Sequence, residues 1–198
     1  MIRDFHLADL LTLANGGAGT AALFFAMDHV REARVGKLYA AGALVAAALV
    51  FDVMDGRVAR WRHSASPLGR ELDSLADVIS FGVAPAGLAF AAGMTGLWDA
   101  LCLVYFVACG ISRLARYNVT AEAMAGDTGK VTYFEGTPIP TSVLLVVLLM
   151  ALARAGRIGE AMLGGVWDIG SFDLHPLALL FVLSGSLMIS KTLKIPKP

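Results

Sequence analysis

The chain has 198 residues, 57% of them hydrophobic and 16% charged, with no formal net charge and a mean hydropathy of +0.69. Charge this sparse falls below the roughly 25% usual for soluble domains. The balance of signs excludes the basic footprint of a nucleic-acid binder. The length suits one domain, taken as residues 1–198, and the apolar excess points to a membrane.

The first ten residues set Arg3, Asp4, His6 and Asp9 among Ile2, Phe5, Leu7 and Leu10. That pattern predicts a short interfacial helix with no cleavage site behind it. Six apolar segments follow. The first, residues 10–27, carries Asn15, Gly16, Gly17 and Gly19, a small-residue face that lets another helix come close. The second, residues 37–50, runs on into an acidic stretch, and residues 64–67 turn the chain. The third starts near Leu68, carries Asp73 and Asp77, and is apolar over residues 78–94. The fourth, residues 97–119, ends in Arg113, Arg116 and Asn118. A polar loop over residues 120–137 leads to the fifth, residues 138–153. The sixth, residues 174–190, precedes a basic, proline-stopped tail. Cys102 and Cys109, ~10 Å apart at the ~1.5 Å rise of a helix, are beyond disulfide reach.

About 20 apolar residues span a bilayer, so the expected fold class is all-α integral membrane. It has six transmembrane helices plus the short N-terminal interfacial helix. Six spans put eleven Lys and Arg residues on the side of the N-terminus, residues 52–77, residues 113–137 and the tail, and five on the other. The richer side is expected to be cytoplasmic, within a multi-pass cell membrane protein. Trp98 and Trp167 then fall at the outer interface and Trp61 at the inner one, as aromatic belts prefer.

The acidic stretch is the anomaly. Asp52 and Asp55 are three residues apart, Asp73 and Asp77 four apart, so on helices each pair shares a face. An aspartate at mid-bilayer costs ~2.5–3.5 kcal/mol, and four together repel. Carboxylates alone suit Mg²⁺, Mn²⁺ or Ca²⁺, and no His or Cys set suits zinc. Two divalent ions would balance four carboxylates and can clamp both oxygens of a phosphoryl displacement. Gly56 and Gly69 admit close approach, Arg60 can pair with phosphate, and Ser66 adds a hydroxyl near the turn. The plain alternative is four interfacial aspartates paired with Arg57, Arg60, Arg62 and Arg70.

The run Asp52-x2-Asp55-Gly56-x2-Ala59-Arg60-x8-Gly69-x3-Asp73-x3-Asp77 resembles the complete signature of the CDP-alcohol phosphatidyltransferase family, with all eight fixed positions present. The resemblance implies six transmembrane helices, a homodimer, and transfer of a phosphatidyl-type group from a CDP-linked lipid to an alcohol with release of CMP. It implies that Asp52, Asp55, Asp73 and Asp77 hold two ions, Mg²⁺ or Mn²⁺, and that Asp77 also accepts the proton of the attacking hydroxyl. It places Gly56, Ala59, Arg60, Ser66 and Gly69 in the CDP pocket. Asn15 resembles the family's first-helix asparagine near the diphosphate, with Ala14 where a proline is usual.

For the acceptor, residues 112–118, residues 133–140 and the closing residues 188–198 resemble the phosphatidylserine synthases of that family. Thr137 stands where leucine is common. Serine's carboxylate calls for a guanidinium and its ammonium for a carboxylate or carbonyls. Arg113 and Arg116, three apart, are the expected carboxylate ligands, with Asn118 or Glu135 nearby; the alternative is that both arginines are membrane anchors. The expected partners are thus a CDP-linked lipid, L-serine and membrane lipids. The same chemistry on glycerol 3-phosphate or inositol phosphate is the competing enzyme reading. A divalent-cation transporter is the competing class, weakened by the charge-free run over residues 78–94.

Overall fold

The computed structural model describes residues 7–62, 67–125, 133–192 and 194–196. Helix α1, Leu7–Glu32, and helix α2, Val35–Arg62, form a long antiparallel hairpin. Both are rich in alanine, the strongest helix former. Ala33 ends α1 in a left-handed conformation, φ 52°, without the glycine usual at such a stop. His29 Nδ1 lies 2.9 Å from the Arg34 carbonyl across that turn, and Lys37 pairs with Asp28 at 3.0 Å beneath it.

Helix α3, Pro67–Asp77, a π-helical turn, Val78–Val83, and helix α4, Ala84–Ala91, follow one another without a break. Proline begins α3, where its missing N–H costs nothing. Helix α5, Leu97–Ala125, returns across the bundle. Strand β1, Tyr133–Glu135, and a 3₁₀ turn, Ile139–Ser142, lead to α6, Val143–Arg154. A hairpin of β2, Trp167–Ile169, and β3, Phe172–Leu174, precedes α7, Ala178–Ile189, and β4, Lys194–Pro196, closes the chain against β1.

Among the described residues, four stretches are long and apolar enough to cross a membrane: Leu7–Glu32, Val35–Trp61, Leu68–Ala91 and Leu97–Val119. The apolar helices Ile139–Arg154 and Ala178–Ile189 are shorter. This is an all-α multi-pass membrane architecture of six helical rods. The separate interfacial helix is corrected in part. Residues 7–10 are the first turns of α1 itself, because nothing between Leu7 and Leu13 stops the helix; residues 1–6 lie outside the description. The expected polar loop also begins late, since α5 runs on to Ala125. The β2–β3 hairpin was not anticipated.

Small residues draw the rods together. A Cβ on Gly16 would lie 3.4 Å from Ala76 Cβ, and one on Gly19 would lie 2.6 Å from Ser80 Cα and collide with the Ser80 hydroxyl. So α1 lies directly against α3 and the π turn, and Ser80 Oγ donates to the Asn15 carbonyl at 2.9 Å. On the other flank a Cβ on Gly185 of α7 would lie 3.2 Å from Phe106 Cα of α5. Phe106 and Phe181 meet edge to face at 5.3 Å beside it.

The far end of the bundle is closed by a wholly buried carboxylate. Asp99 accepts the backbone N–H of His175 at 2.7 Å and that of Gly96 at 3.1 Å, and lies 2.7 Å from His175 Nδ1. Trp98 donates to the Ile169 carbonyl of the hairpin at 3.0 Å.

The α1–α3 contact makes a testable demand. Gly19→Ala must push α1 from Ser80, an overpacking that costs about 1–3 kcal/mol. Gly17, with nothing within 4 Å of an added Cβ, takes alanine freely. Thermal melting of the detergent-solubilised protein should show a clear drop for the first and none for the second; equal midpoints would contradict the packing.

Candidate active site

The two acidic pairs do meet. Asp52 and Asp55 sit in the last part of α2, which ends at Arg62, and Asp73 and Asp77 in α3, which begins at Pro67. Carboxylate oxygens of Asp52, Asp55 and Asp73 lie within 4.8 Å of one another. Asp77 stands outside that tight triad, yet its charge couples to those of Asp52, Asp73 and Asp55. Asp55 and Asp77 are buried, and Asp52 and Asp73 are half-buried.

Among the described residues the four carboxylates form no ion pair with arginine or lysine. Their side-chain partners come from α1, while the Gly56 N–H of α2 also donates to Asp55. Thr12 Oγ1 lies 2.6 Å from Asp55 Oδ2, and Asn15 Nδ2 donates to Asp77 Oδ1 at 3.2 Å. Both α1 side chains are buried, Asn15 completely. Asp9, one turn before Thr12 and also buried, adds a fifth negative charge that Asp55 feels.

A donor set made only of carboxylate oxygens, close-packed, half-buried and in no ion pair among the described residues, fits a hard divalent cation. Asp52, Asp55 and Asp73 are the three that can hold one ion between them, with Asp77 alongside.

The other expected site residues divide by where they fall. Gly56 leaves space beside the carboxylates, and Arg60 Nη1 would lie 3.8 Å from a Cβ added there. Arg60 is exposed, while Ala59 and Gly69 are half-buried. All are on the same two helix ends as the aspartates. Ser66 lies outside the described residues. Asn15 turns its amide to Asp77, and its own Oδ1 is buried with no hydrogen bond among the described residues.

The two arginines of α5 have different surroundings. Arg113 is buried, its Nε has no hydrogen-bond partner among the described residues, and its charge couples to that of Asp77. Arg116 donates to the Ile189 carbonyl at 3.2 Å, holding the end of α7. Asn118 donates to Ser74 at 3.0 Å and to Glu71 at 3.3 Å, which ties α5 to α3. Glu135 pairs with Lys194 in the β1–β4 ladder. The side chains of that ladder are not part of the description.

These contacts bring three distant segments to one end of α5. Gly136, in a left-handed conformation, presses against the Met188 carbonyl, and the Thr137 N–H donates to the Leu187 carbonyl at 3.2 Å. Ile139 is buried against Gly110 of α5 and Gly82 of the π turn. Residues 112–118, residues 136–139 and the end of α7 thus form one wall, on which Arg113 couples in charge to Asp77. Reading the sequence missed Thr12 and placed Asp9 only in an interfacial helix. The available signal was spacing, since Thr12 and Asn15 are three apart and share a face.

Residues 5–183 match the family described as CDP-alcohol phosphatidyltransferase. The chain is 42% identical along its whole length to the CDP-diacylglycerol–serine O-phosphatidyltransferase of Saccharomyces cerevisiae, of which it spans 73%. It is 34% identical over 89% of its length to the protein of that name from Mycobacterium bovis, spanning 58% of it. To the archaetidylserine synthase of Methanothermobacter thermautotrophicus it is 38% identical over 71% of its length, spanning 55% of that protein. Against the bacterial and archaeal relatives it therefore covers little more than half their length.

A cation site built this way should lose affinity with any of its carboxylates. Asp73→Asn and Asp52→Asn should each weaken Mn²⁺ binding by at least the ~10–100-fold that outer ligand-supporting changes cost. Asp173→Asn, on the exposed far hairpin, should leave it unchanged. Calorimetric titration of the purified protein reads all three, and wild-type affinity in Asp73→Asn would remove the triad as the site.

Proposed function

Because the chain belongs to the CDP-alcohol phosphatidyltransferase family, we propose that it is a phosphatidylserine synthase. It transfers the phosphatidyl group of a CDP-linked lipid, CDP-diacylglycerol or CDP-archaeol, to the hydroxyl of L-serine and releases CMP. The observation that carries the choice of acceptor is buried Arg113 beside Asp77. A cation with a spare N–H next to the group that takes the alcohol proton suits an alcohol bearing a carboxylate.

Asp52, Asp55, Asp73 and Asp77 would hold two divalent ions, Mg²⁺ or Mn²⁺, which would supply charge compensation for the diphosphate and the departing CMP. Gly56, Ala59, Gly69 and Ser66 leave room for the nucleotide, and Arg60 pairs with its phosphates. Asn15 fixes Asp77 through Oδ1, which leaves Oδ2 to take the proton of the serine hydroxyl as general base. Arg113 orients serine by its carboxylate, so that the hydroxyl faces Asp77 and the phosphorus beyond. Arg116, Asn118 and the segment of Glu135 brace that wall, Arg116 and Asn118 through the bonds they already make to Ile189, Ser74 and Glu71.

The chain crosses the membrane six times, with α6 and α7 completing the spans. Its site opens to the cytoplasm, the side richer in lysine and arginine. The lipid tails of the donor stay in the bilayer while its CDP head enters between α2 and α3. The apolar residues exposed on the rods, Phe24, Val104 and Leu144 among them, face lipid or the second copy of a homodimer.

Purified full-length chain, given CDP-diacylglycerol, Mn²⁺ and a panel of alcohols, should release CMP with serine and not with glycerol 3-phosphate or inositol phosphate. The reverse would falsify the acceptor. Arg113→Ala should raise the serine KM by about 10-fold or more, the worth of a charged hydrogen bond, with little change in KM for the CDP-lipid. Asp77→Asn should stop turnover while CDP-lipid still binds.

A further inference from the structure

Each acidic pair has one member that α1 holds. On the α2 pair it is Asp55, held by Thr12; on the α3 pair it is Asp77, held by Asn15. Thr12 is buried at 4% exposure and reaches Asp55 across 43 residues of sequence. Its hydroxyl also lies 3.1 Å from the Ala8 carbonyl of its own helix. A hydroxyl has one proton to give. The shorter contact, 2.6 Å to a carboxylate oxygen, is the charge-assisted one and takes it. The longer one is the local back-bond that a helical threonine makes when nothing better is at hand.

We propose that Thr12 is a positioning residue of the metal site. It acts through Asp55, by binding Oδ2 so that the carboxylate keeps one orientation toward Asp52 and Asp73. The inference rests on the reading of the carboxylates as a divalent-cation site. Asp55 is the buried member of the triad, while Asp52 and Asp73 are half-buried. Without the Thr12 donor, only the backbone hydrogen bond from Gly56 is left to hold this carboxylate against the repulsion of its two neighbours. With the donor, Asp55 is set before an ion arrives, and the ion meets three oxygens already converged. Groups that orient a metal ligand in this way are worth about 10–100-fold in metal affinity.

The place of the bond also defines what it can do. It crosses from α1 to α2 near the open end of their hairpin, far in sequence from the Ala33 turn that joins them. The α1–α2 spacing is already set by the apolar contact along the two rods. A hydroxyl here adds direction to a carboxylate rather than holding the helices together. Valine has the shape of threonine without the donor, so Thr12→Val removes the proton and keeps the packing.

The test is a Mn²⁺ titration of the full chain in detergent, followed by the loss of the free-ion paramagnetic resonance signal, with wild type, Thr12→Val, Thr12→Ser and Asp55→Asn. Thr12→Val should bind Mn²⁺ about 10–100-fold more weakly, and Thr12→Ser, which keeps the hydroxyl, should bind within about 3-fold of wild type. In turnover, Thr12→Val should need more Mn²⁺ for half-activation and approach the wild-type rate at saturation. Thr12→Ala, a second variant without the hydroxyl, carries the same expectation should the valine protein fail to purify. Wild-type Mn²⁺ affinity in the hydroxyl-free variants would overturn the positioning role and leave the metal site standing. Wild-type affinity in Asp55→Asn would remove the metal reading itself, and the role of Thr12 with it.

Discussion

Carboxylates gathered within a few ångströms in an apolar bundle repel one another, and every notable feature of this fold bears on that repulsion. Asp52, Asp55 and Asp73 converge within 4.8 Å, Asp77 and Asp9 couple to them in charge, and among the described residues the four signature carboxylates form no ion pair, Arg113 reaching Asp77 only through its charge. In water such groups would simply move apart. Here they are carried on the ends of two helices whose positions are fixed by packing elsewhere. Arg113 offsets part of this charge at Asp77, and a divalent cation among the carboxylates can meet the rest.

What keeps the helix ends in place is the smallness of residues along α1. Gly16 and Gly19 let α1 lie against Ala76 and Ser80, so α1, α2 and α3 meet at the acidic end. The face of α1 that achieves this contact is the same one that carries Thr12 and Asn15. Close packing and polar restraint are therefore one design: the glycines set the distance, and the two side chains use it to reach Asp55 and Asp77. The π turn after Asp77 belongs to the same region. Such turns mark functional places in helices, and here the turn aims the Ser80 hydroxyl at the Asn15 carbonyl.

Much of this was legible from residue types and spacing. Long alanine- and leucine-rich runs gave the four long rods, and the i, i+3 and i, i+4 aspartates gave the site, because both depend only on local periodicity. The segments around Arg116 and Thr137 are gathered against the end of α7 by the Thr137 and Arg116 bonds to Leu187 and Ile189. Long-range pairing was not legible. Nothing local to Thr12 says that it meets a residue 43 positions away. Arg113 and Arg116 look equivalent in sequence, and only the fold separates the buried one near Asp77 from the one that ties down Ile189. The Asp99–His175 closure likewise joins residues 76 apart. α1 is already helical at Leu7, ahead of the expected residue 10, because no helix-stopping residue separates Asp9 from the apolar run.

The dinuclear cation site proposed for these two helix ends, receiving a CDP-linked lipid, can be located directly. The most direct measurement is a crystal structure grown with Mn²⁺ and the CDP-lipid, with data collected for the anomalous signal of manganese. The account predicts two manganese peaks among Asp52, Asp55, Asp73 and Asp77, about 3.5–4 Å apart, with the diphosphate against them. Peaks elsewhere in the bundle, or a nucleotide bound with no metal among these carboxylates, would contradict it.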